Sequence, residues 1–320
     1  MTAKTWLVNG VRRLVGVHHI LQSVKDSSND VIRRLKKAEG EPDDAEENGY
    51  TIHLEYPPSY DYRPRWGYSR PPHEGLSRLF AREQAAYDET LRRLTAFKPQ
   101  FDRIPLQFSH ERPTEPGWMG GPINAIDTAM LYYFVATLRP KTYLEIGSGV
   151  TTTFAARAKK DHRLPTKIVS IDPYPAVAMQ PICDVVIPSA LETVDLKMFD
   201  ELGPGDVVFM DGSHRTFMNS DVTVFMLDVL PRLKPGVVVH FHDVVLPMDY
   251  DPMFQKCYWN EQYILAAYLL GAGDRVKVLM PSGYVAGQPG AREILRPLLR
   301  DWKGSPEVWT NGGSMWFTHA

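Results

Sequence analysis

The stretch "TYLEIGSGVTTTFAARAKK", residues 142–160, changes character in its middle. Thr142 to Ile146 has the aromatic and β-branched content of a strand. Gly147-Ser148-Gly149 permits a tight turn and lets a ligand approach the backbone. From Thr151 to Lys160 the residues suit a helix. The same alternation continues downstream. "KIVSIDP" (167–173), "CDVVIPS" (183–189), "DVVFMDG" (206–212), "GVVVHFHD" (236–243), "RVKVLMP" (275–281) and "SMWFTHA" (314–320) read as strands. "LETVDLKMFDEL" (191–202), "SDVTVFMLDVLPRL" (220–233) and "NEQYILAAYLL" (260–270) read as helices between them. Val- and Ile-rich strands alternating with helices predict an α/β fold, a doubly wound and mostly parallel sheet of seven strands.

Ligands in such folds bind at the carboxyl ends of the strands. The first strand ends at Glu145-Ile146 before the glycine turn, and the second ends in Asp172, 23 residues after Gly149. An acid there can accept from both hydroxyls of a ribose. A dinucleotide fingerprint would need glycine three positions after Gly149, where Thr152 stands, so a nicotinamide cofactor and an oxidoreductase are disfavoured. The fourth strand runs into Asp211, Ser213 and His214, and the fifth into His242 and Asp243. Two adjacent strands thus bring acids and histidines to one rim, as a reaction site or as a solvated edge. Strand alternation pairs His240 with His242 on one face and Phe241 with Asp243 on the other. His240 lies deeper and reads as a buried, hydrogen-bonded scaffold residue.

The bulk numbers fit an enzyme-sized globular chain. It has 320 residues, 43% hydrophobic and 23% charged, with net charge −2. That balance gives no pull toward nucleic acid or anionic membrane. Cys183 and Cys257 form no CxxC pair, so they are expected simply to pack, in a reducing compartment. No apolar run reaches a membrane span, and Arg12 and Arg13 interrupt any signal-peptide core. The expected location is cytoplasmic.

Residues 1–49 read as an amphipathic helix (5–37) followed by an acidic linker, "EGEPDDAEENG" (39–49). The helix packs on the main domain, mediates a homo-oligomer, or lies on a membrane surface. Residues 50–114 begin with a Tyr/Pro/Arg-rich arm (50–73), either packed on the domain surface or acting as a lid with Arg63, Arg65 and Arg70 toward an anionic substrate. A helix is expected over 75–97 and another over 122–138. Residues 115–320 form the α/β domain.

Taken in order, "YLEIGSGVTTTFAA", "VSIDPYP", "GDVVFMDGSHRT", "LPRLKPGVVVHFHDVVLPMDY" and "YWNEQYILAAYL" resemble a class I S-adenosylmethionine (SAM) dependent methyltransferase, in particular the methyltransferase family 24 branch. Macrocin-type and catechol-type O-methyltransferases are more distant relatives. The resemblance covers roughly residues 115–275 and implies a Rossmann-like sheet with a mainly helical or irregular N-terminal extension. It also implies SAM as cofactor and O-methylation of a small-molecule or glycan-type acceptor. No nucleic-acid partner is implied.

On this resemblance Gly147, Ser148 and Gly149 lie against the methionine part of SAM, and Glu145 orients its amino group. Asp172 holds the ribose, and Ser189 with Ala190 sits near adenine. Asp127 and Trp118 precede the first strand, where relatives close over the cofactor. Asp211 binds SAM or, with Asp243, a divalent metal. His242 stands where relatives often carry another carboxylate or amide, so a metal stays an open alternative, with a softer ion than magnesium suited to a His/Asp set. His214 and His242 are the candidate bases, supported by Asp243 or Asp211. Tyr250, Trp259, Asn260 and Glu261 are expected to line the acceptor pocket, with Asn260 alternatively capping a helix. Two rival readings are a SAM-fold scaffold that binds without catalysis and a NAD-dependent oxidoreductase.

Overall fold

A computed structural model describes residues 63–119, 123–299 and 311–319. The expected N-terminal helix, the acidic linker, most of the Tyr/Pro/Arg arm, and any oligomerisation through that helix lie outside the described residues. Asp61–Ala320 forms one compact unit.

The strands are β1 (Thr142–Ile146), β2 (Lys167–Ile171), β3 (Val185–Ile187), β4 (Val207–Met210), β5 (Val238–His242), β6 (Val276–Pro281) and β7 (Ser314–His319). They form a seven-stranded sheet in the order β3-β2-β1-β4-β5-β7-β6. β7 runs antiparallel to β5 and β6, and the other pairings are parallel. The expected doubly wound, mostly parallel sheet is therefore present. Strand order reverses between β1 and β4, which opens a crevice at their carboxyl ends. Register aligns the ends: Ile146 pairs with Met210, and Met210 with Phe241. The residues that follow, Gly147, Asp211 and His242, thus emerge side by side on one rim.

Helix Ala125–Leu138 is apolar on nearly every face because it is covered on nearly every face, by helix Val150–Asp161 on one side and by the sheet on the other. Its Phe134 ring meets Trp316 of β7 at 4.4 Å. Trp316 stacks on His240 at 3.8 Å, and His240 stacks in turn on Phe209 at 4.3 Å. His240 Nε2 lies 3.0 Å from Ser314 Oγ. Burial, with His242 beside it, pushes the His240 pKa well below that of a free imidazole. His240 is a neutral packing residue, as its depth in the strand predicts, and its hydrogen-bond partner is the Ser314 side chain. Trp118 is also scaffold: it packs on Phe101 and Phe154 and donates to the Phe101 carbonyl at 3.3 Å. Cys183 and Cys257 are unbridged thiols.

Several helices differ from expectation. The predicted 75–97 helix is two, Glu74–Ala81 and Gln84–Thr95. The 191–202 segment forms 3₁₀ turns at Leu191–Thr193 and Leu196–Glu201. The 220–233 helix passes from an α turn (Asp221–Val224) through a π turn (Phe225–Val229) to a 3₁₀ turn (Leu230–Arg232). Pro231 has no N–H to continue the α ladder. Helices Ser282–Ala286 and Pro289–Leu299 have no counterpart in the sequence reading. The described part of the arm lies on the loop after β5. Arg65 N donates to Asp249 at 2.7 Å, and His73 N to the Pro247 carbonyl at 2.9 Å. The Arg65 guanidinium sits over the Trp66 ring, 5.2 Å from its centroid.

Trp316 is fully buried between two aromatic partners. Trp316→Ala is expected to cost about 3–5 kcal/mol, read as a lowered urea midpoint.

Candidate active site

The crevice between β1 and β4 holds a cavity of about 510 Å³, a size suited to a nucleoside-type cofactor. Its floor is close-packed at two glycines. Gly147 has φ +86°, and a Cβ there would lie 2.1 Å from the Asp211 carbonyl oxygen. At Gly212 a Cβ would lie 2.2 Å from Asp221 Oδ2. Asp221 itself ties the β4 loop down, accepting from Ser213 N at 2.6 Å and Ser213 Oγ at 2.5 Å.

Asp172 stands at the end of β2 and lines the cavity. Its carboxylate accepts from Ser148 N (2.9 Å), Ser148 Oγ (2.6 Å) and Tyr174 N (2.8 Å). These bonds aim it, and lone pairs remain for a ribose. Ala190, Leu191 and Glu192 line the far wall, whereas the predicted Ser189 does not. Glu145 does not line the cavity either. It is fully buried beneath the turn, where Thr152 Oγ1 donates to its Oε1 at 2.7 Å and accepts from Gly149 N at 3.0 Å. Its Oε2 has no hydrogen-bond partner, and burial pushes its pKa up to about 8. Thr152 was legible only as the residue that rules out a dinucleotide fingerprint, yet it is the link that holds the turn.

The second half of the site is a cluster of carboxyls and imidazoles beside the cavity. Asp211 belongs to both, since it lines the cavity and its Oδ1 lies 3.8 Å from His214 Nε2 and 3.4 Å from His242 Nδ1. Asp243 completes the group, with Oδ2 3.4 Å from His214 Nε2 and Oδ1 3.5 Å from His242 Nδ1. Strand alternation had placed Asp243 on the face opposite His242. The backbone overturns this: Asp243 takes a left-handed φ of +55°, which breaks the alternation and turns it back to the cluster. His214 is also left-handed, with φ +61°. Such conformations in residues with a Cβ persist where surroundings enforce them, and they gather at functional sites.

Charge in the cluster is tightly coupled. Burial opposes ionisation of Asp211, but His242 and His214 hold its carboxyl below the usual range. Burial raises Asp243. Burial also disfavours charge on His242, yet Asp211, Asp243 and Asp127 overcome it and raise its pKa to about 10. Burial also disfavours charge on His214, but the hydrogen bond and charge of Glu261, together with the charges of Asp243 and Asp211, raise its pKa. Asp127 is not at the cofactor cavity. It is fully buried behind His242, accepting from Ser282 Oγ at 2.5 Å and Gly313 N at 2.8 Å.

Of the residues expected in the acceptor pocket, Tyr250 and Glu261 are buried, and Trp259 and Asn260 are half-buried. Trp259 is sandwiched between His214 (4.3 Å) and Phe254 (4.5 Å, 15°). Asn260 makes no side-chain cap; its Oδ1 accepts from Thr216 N at 2.6 Å, and its N donates to the His214 carbonyl at 3.0 Å. Tyr250 is buried against Trp259 and Tyr263. Glu261 Oε1 lies 2.6 Å from His214 Nδ1.

Asp211, His214 and Asp243 each offer a ligand atom within 4.8 Å of the others. One nitrogen and two carboxylates suit a divalent transition ion better than magnesium. The sequence reading had His242 rather than His214 as the histidine of this set.

Residues 144–244 match the family Methyltransf_24, described as a methyltransferase domain. No curated protein matches the chain significantly. Among solved structures, the SAH-bound Podospora anserina methyltransferase PaMTH1 aligns at 15% identity, covering 80% of this chain and 100% of its own, with TM-score 0.38. The plantazolicin methyltransferase BpumL in complex with SAH aligns at 12% identity, 76% and 98% coverage, and TM-score 0.36. Cofactor-bound Rv0187 from MTB aligns at 15% identity, 57% and 78% coverage, and TM-score 0.33. These likenesses are too distant to transfer roles to residues.

The pairing of His242 has a pH signature. Its folded pKa lies above the unfolded value, so its stabilisation is complete below about pH 6.5 and is lost as pH rises through about 10. His242→Asn should therefore cost more than about 2 kcal/mol near pH 6, and the wild-type advantage in denaturant unfolding should shrink toward pH 10. The sheet expected from the sequence is present, Gly147, Asp172 and Asp211 line one cavity, and the segment that carries them, residues 144–244, is the one that matches the methyltransferase-domain model.

Proposed function

We propose that this domain transfers a methyl group from SAM to a hydroxyl of a small-molecule or glycan-type acceptor. One observation carries the reading: Asp211 is shared between the cofactor-sized cavity and the His/Asp cluster, so a methyl donor in the first sits beside proton-accepting groups in the second. The Gly147–Gly149 turn and Asp172 would hold the cofactor, with Glu145 acting from beneath through Thr152. SAM supplies the sulfonium methyl and its thioether leaving group. The acceptor oxygen forms the new C–O bond, and its proton passes to a base on the protein. The acids around His242 favour its protonated form, which weighs against it as that base. His214 Nε2 is the remaining histidine nitrogen facing the rim, 3.4 Å from Asp243 and 3.8 Å from Asp211.

A second reading keeps the same residues in another role. Asp211, His214 and Asp243 would hold a divalent ion, which would act as a Lewis acid on the acceptor oxygen. A third, a SAM-binding scaffold without catalysis, would leave the left-handed strain at His214 and Asp243 without a purpose.

Titration calorimetry should show SAM and SAH binding, with Asp172→Ala weakening both at least about tenfold, the loss of one charge-assisted hydrogen-bonding group. No heat at millimolar SAM would sink the reading. The metal reading predicts saturable Mn²⁺ binding that disappears in Asp243→Ala; unchanged Mn²⁺ binding in that variant removes it.

A further inference from the structure

The acid that serves His214 is not one of the strand-end aspartates. Glu261 opens helix Glu261–Ala272, is fully buried, and places Oε1 2.6 Å from His214 Nδ1. Its Oε2 has no hydrogen-bond partner. A buried carboxylate with one oxygen unsatisfied is costly, so it persists where it serves something. The side-chain partner of its other oxygen is His214.

The rest of the local structure acts on the same ring. The His214 carbonyl accepts from Asn260 N at 3.0 Å and from Glu261 N at 3.3 Å. Trp259 covers the imidazole at 4.3 Å and is backed by Phe254. The start of this helix and the loop after β4 are therefore bolted together around one imidazole. Nδ1 is engaged at true hydrogen-bond distance. Nε2 is not: its nearest carboxylate oxygens are 3.4 and 3.8 Å away.

We propose that Glu261 is the positioning residue of His214: by accepting from Nδ1–H it fixes the ring's orientation and tautomer, so that the Nε2 lone pair faces the rim between Asp211 and Asp243. Glu261 touches neither cofactor nor acceptor. The inference rests on the methyltransferase reading for its purpose, but the dyad itself is a property of the apo-protein. It gives Glu261 a different role from the pocket wall that the sequence suggested.

The test uses full-length protein labelled with ¹⁵N-histidine, with the His214 resonances assigned by their absence in His214→Asn. Once the ring is neutral, long-range ¹⁵N–¹H spectra should show His214 protonated at Nδ1, with a strongly downfield Nδ1 proton from the short bond to a carboxylate. In Glu261→Gln that downfield signal should vanish and the ring should shift toward the Nε2–H tautomer, because an amide can donate to Nδ1. The SAH dissociation constant of this variant should stay within about threefold of wild type, well under the tenfold that a lost 1.4 kcal/mol contact would produce. A wild-type His214 protonated at Nε2 overturns the proposal, even where the Gln variant does not fold. An unchanged His214 pattern in a folded Glu261→Gln overturns it as well. Wild type that shows the dyad yet binds no SAH sinks the methyltransferase reading instead.

Discussion

The carbonyl oxygen of Asp211 lies where residue 147 would carry its first side-chain atom. Everything at this site follows from that close approach. Because residue 147 is glycine, the ends of β1 and β4 can meet, and the turn above them can fold back with Asp211 N bonded to the Ile146 carbonyl at 3.0 Å. Because they meet at the point of strand reversal, the crevice opens directly over them. Asp211 is thereby pinned through its backbone, which leaves its carboxylate free to face the two imidazoles. The cofactor side and the proton-handling side share a wall one residue thick.

Electrostatics explains why the cluster is stable enough to exist. Asp127 and Glu261, fully buried, and Asp211 and Asp243, partly exposed at the rim, surround His214 and His242. Unpaired, each charge would be expelled or neutralised. Arg215, the nearby cation in the loop, is turned away onto the carbonyls of Cys257 and Ser213. The two histidines therefore carry the compensation, and they divide it. His242, deeper and facing three acids, has its charged form favoured by them. His214 is held on one side by Glu261 and opens on the other to the rim.

The sheet was readable because its signals are local: a strand is short, apolar and followed by a turn. The glycine turn and the acids at strand ends were readable for the same reason. What escaped depends on contacts that no spacing announces. Glu261 and His214 are 47 residues apart. The left-handed turn at Asp243 contradicts the strand periodicity that a sequence reader must trust. Asp127 looked like a cofactor ligand because it precedes the first strand, but its partners, Ser282 and Gly313, lie 155 and 186 residues further on. The contacts of Trp259 with His214 and Phe254 were likewise not legible, since a tryptophan near a site serves equally as a wall or as a wedge.

The placement of β7 has a consequence for biosynthesis. This strand, made after the other six, is inserted between β5 and β6, where Ser314 pairs with His242 and Gly313 N binds Asp127. A chain growing from its N-terminus can assemble the cofactor crevice from β1 to β4 early, but β5 keeps an open edge, and the ground behind His242 stays unsupported, until residues 311–319 emerge. The last-made strand thus completes both the edge of β5 and the ground behind His242. During that interval the exposed flank of β5 is the place where a nascent chain would meet a chaperone or a wrong strand.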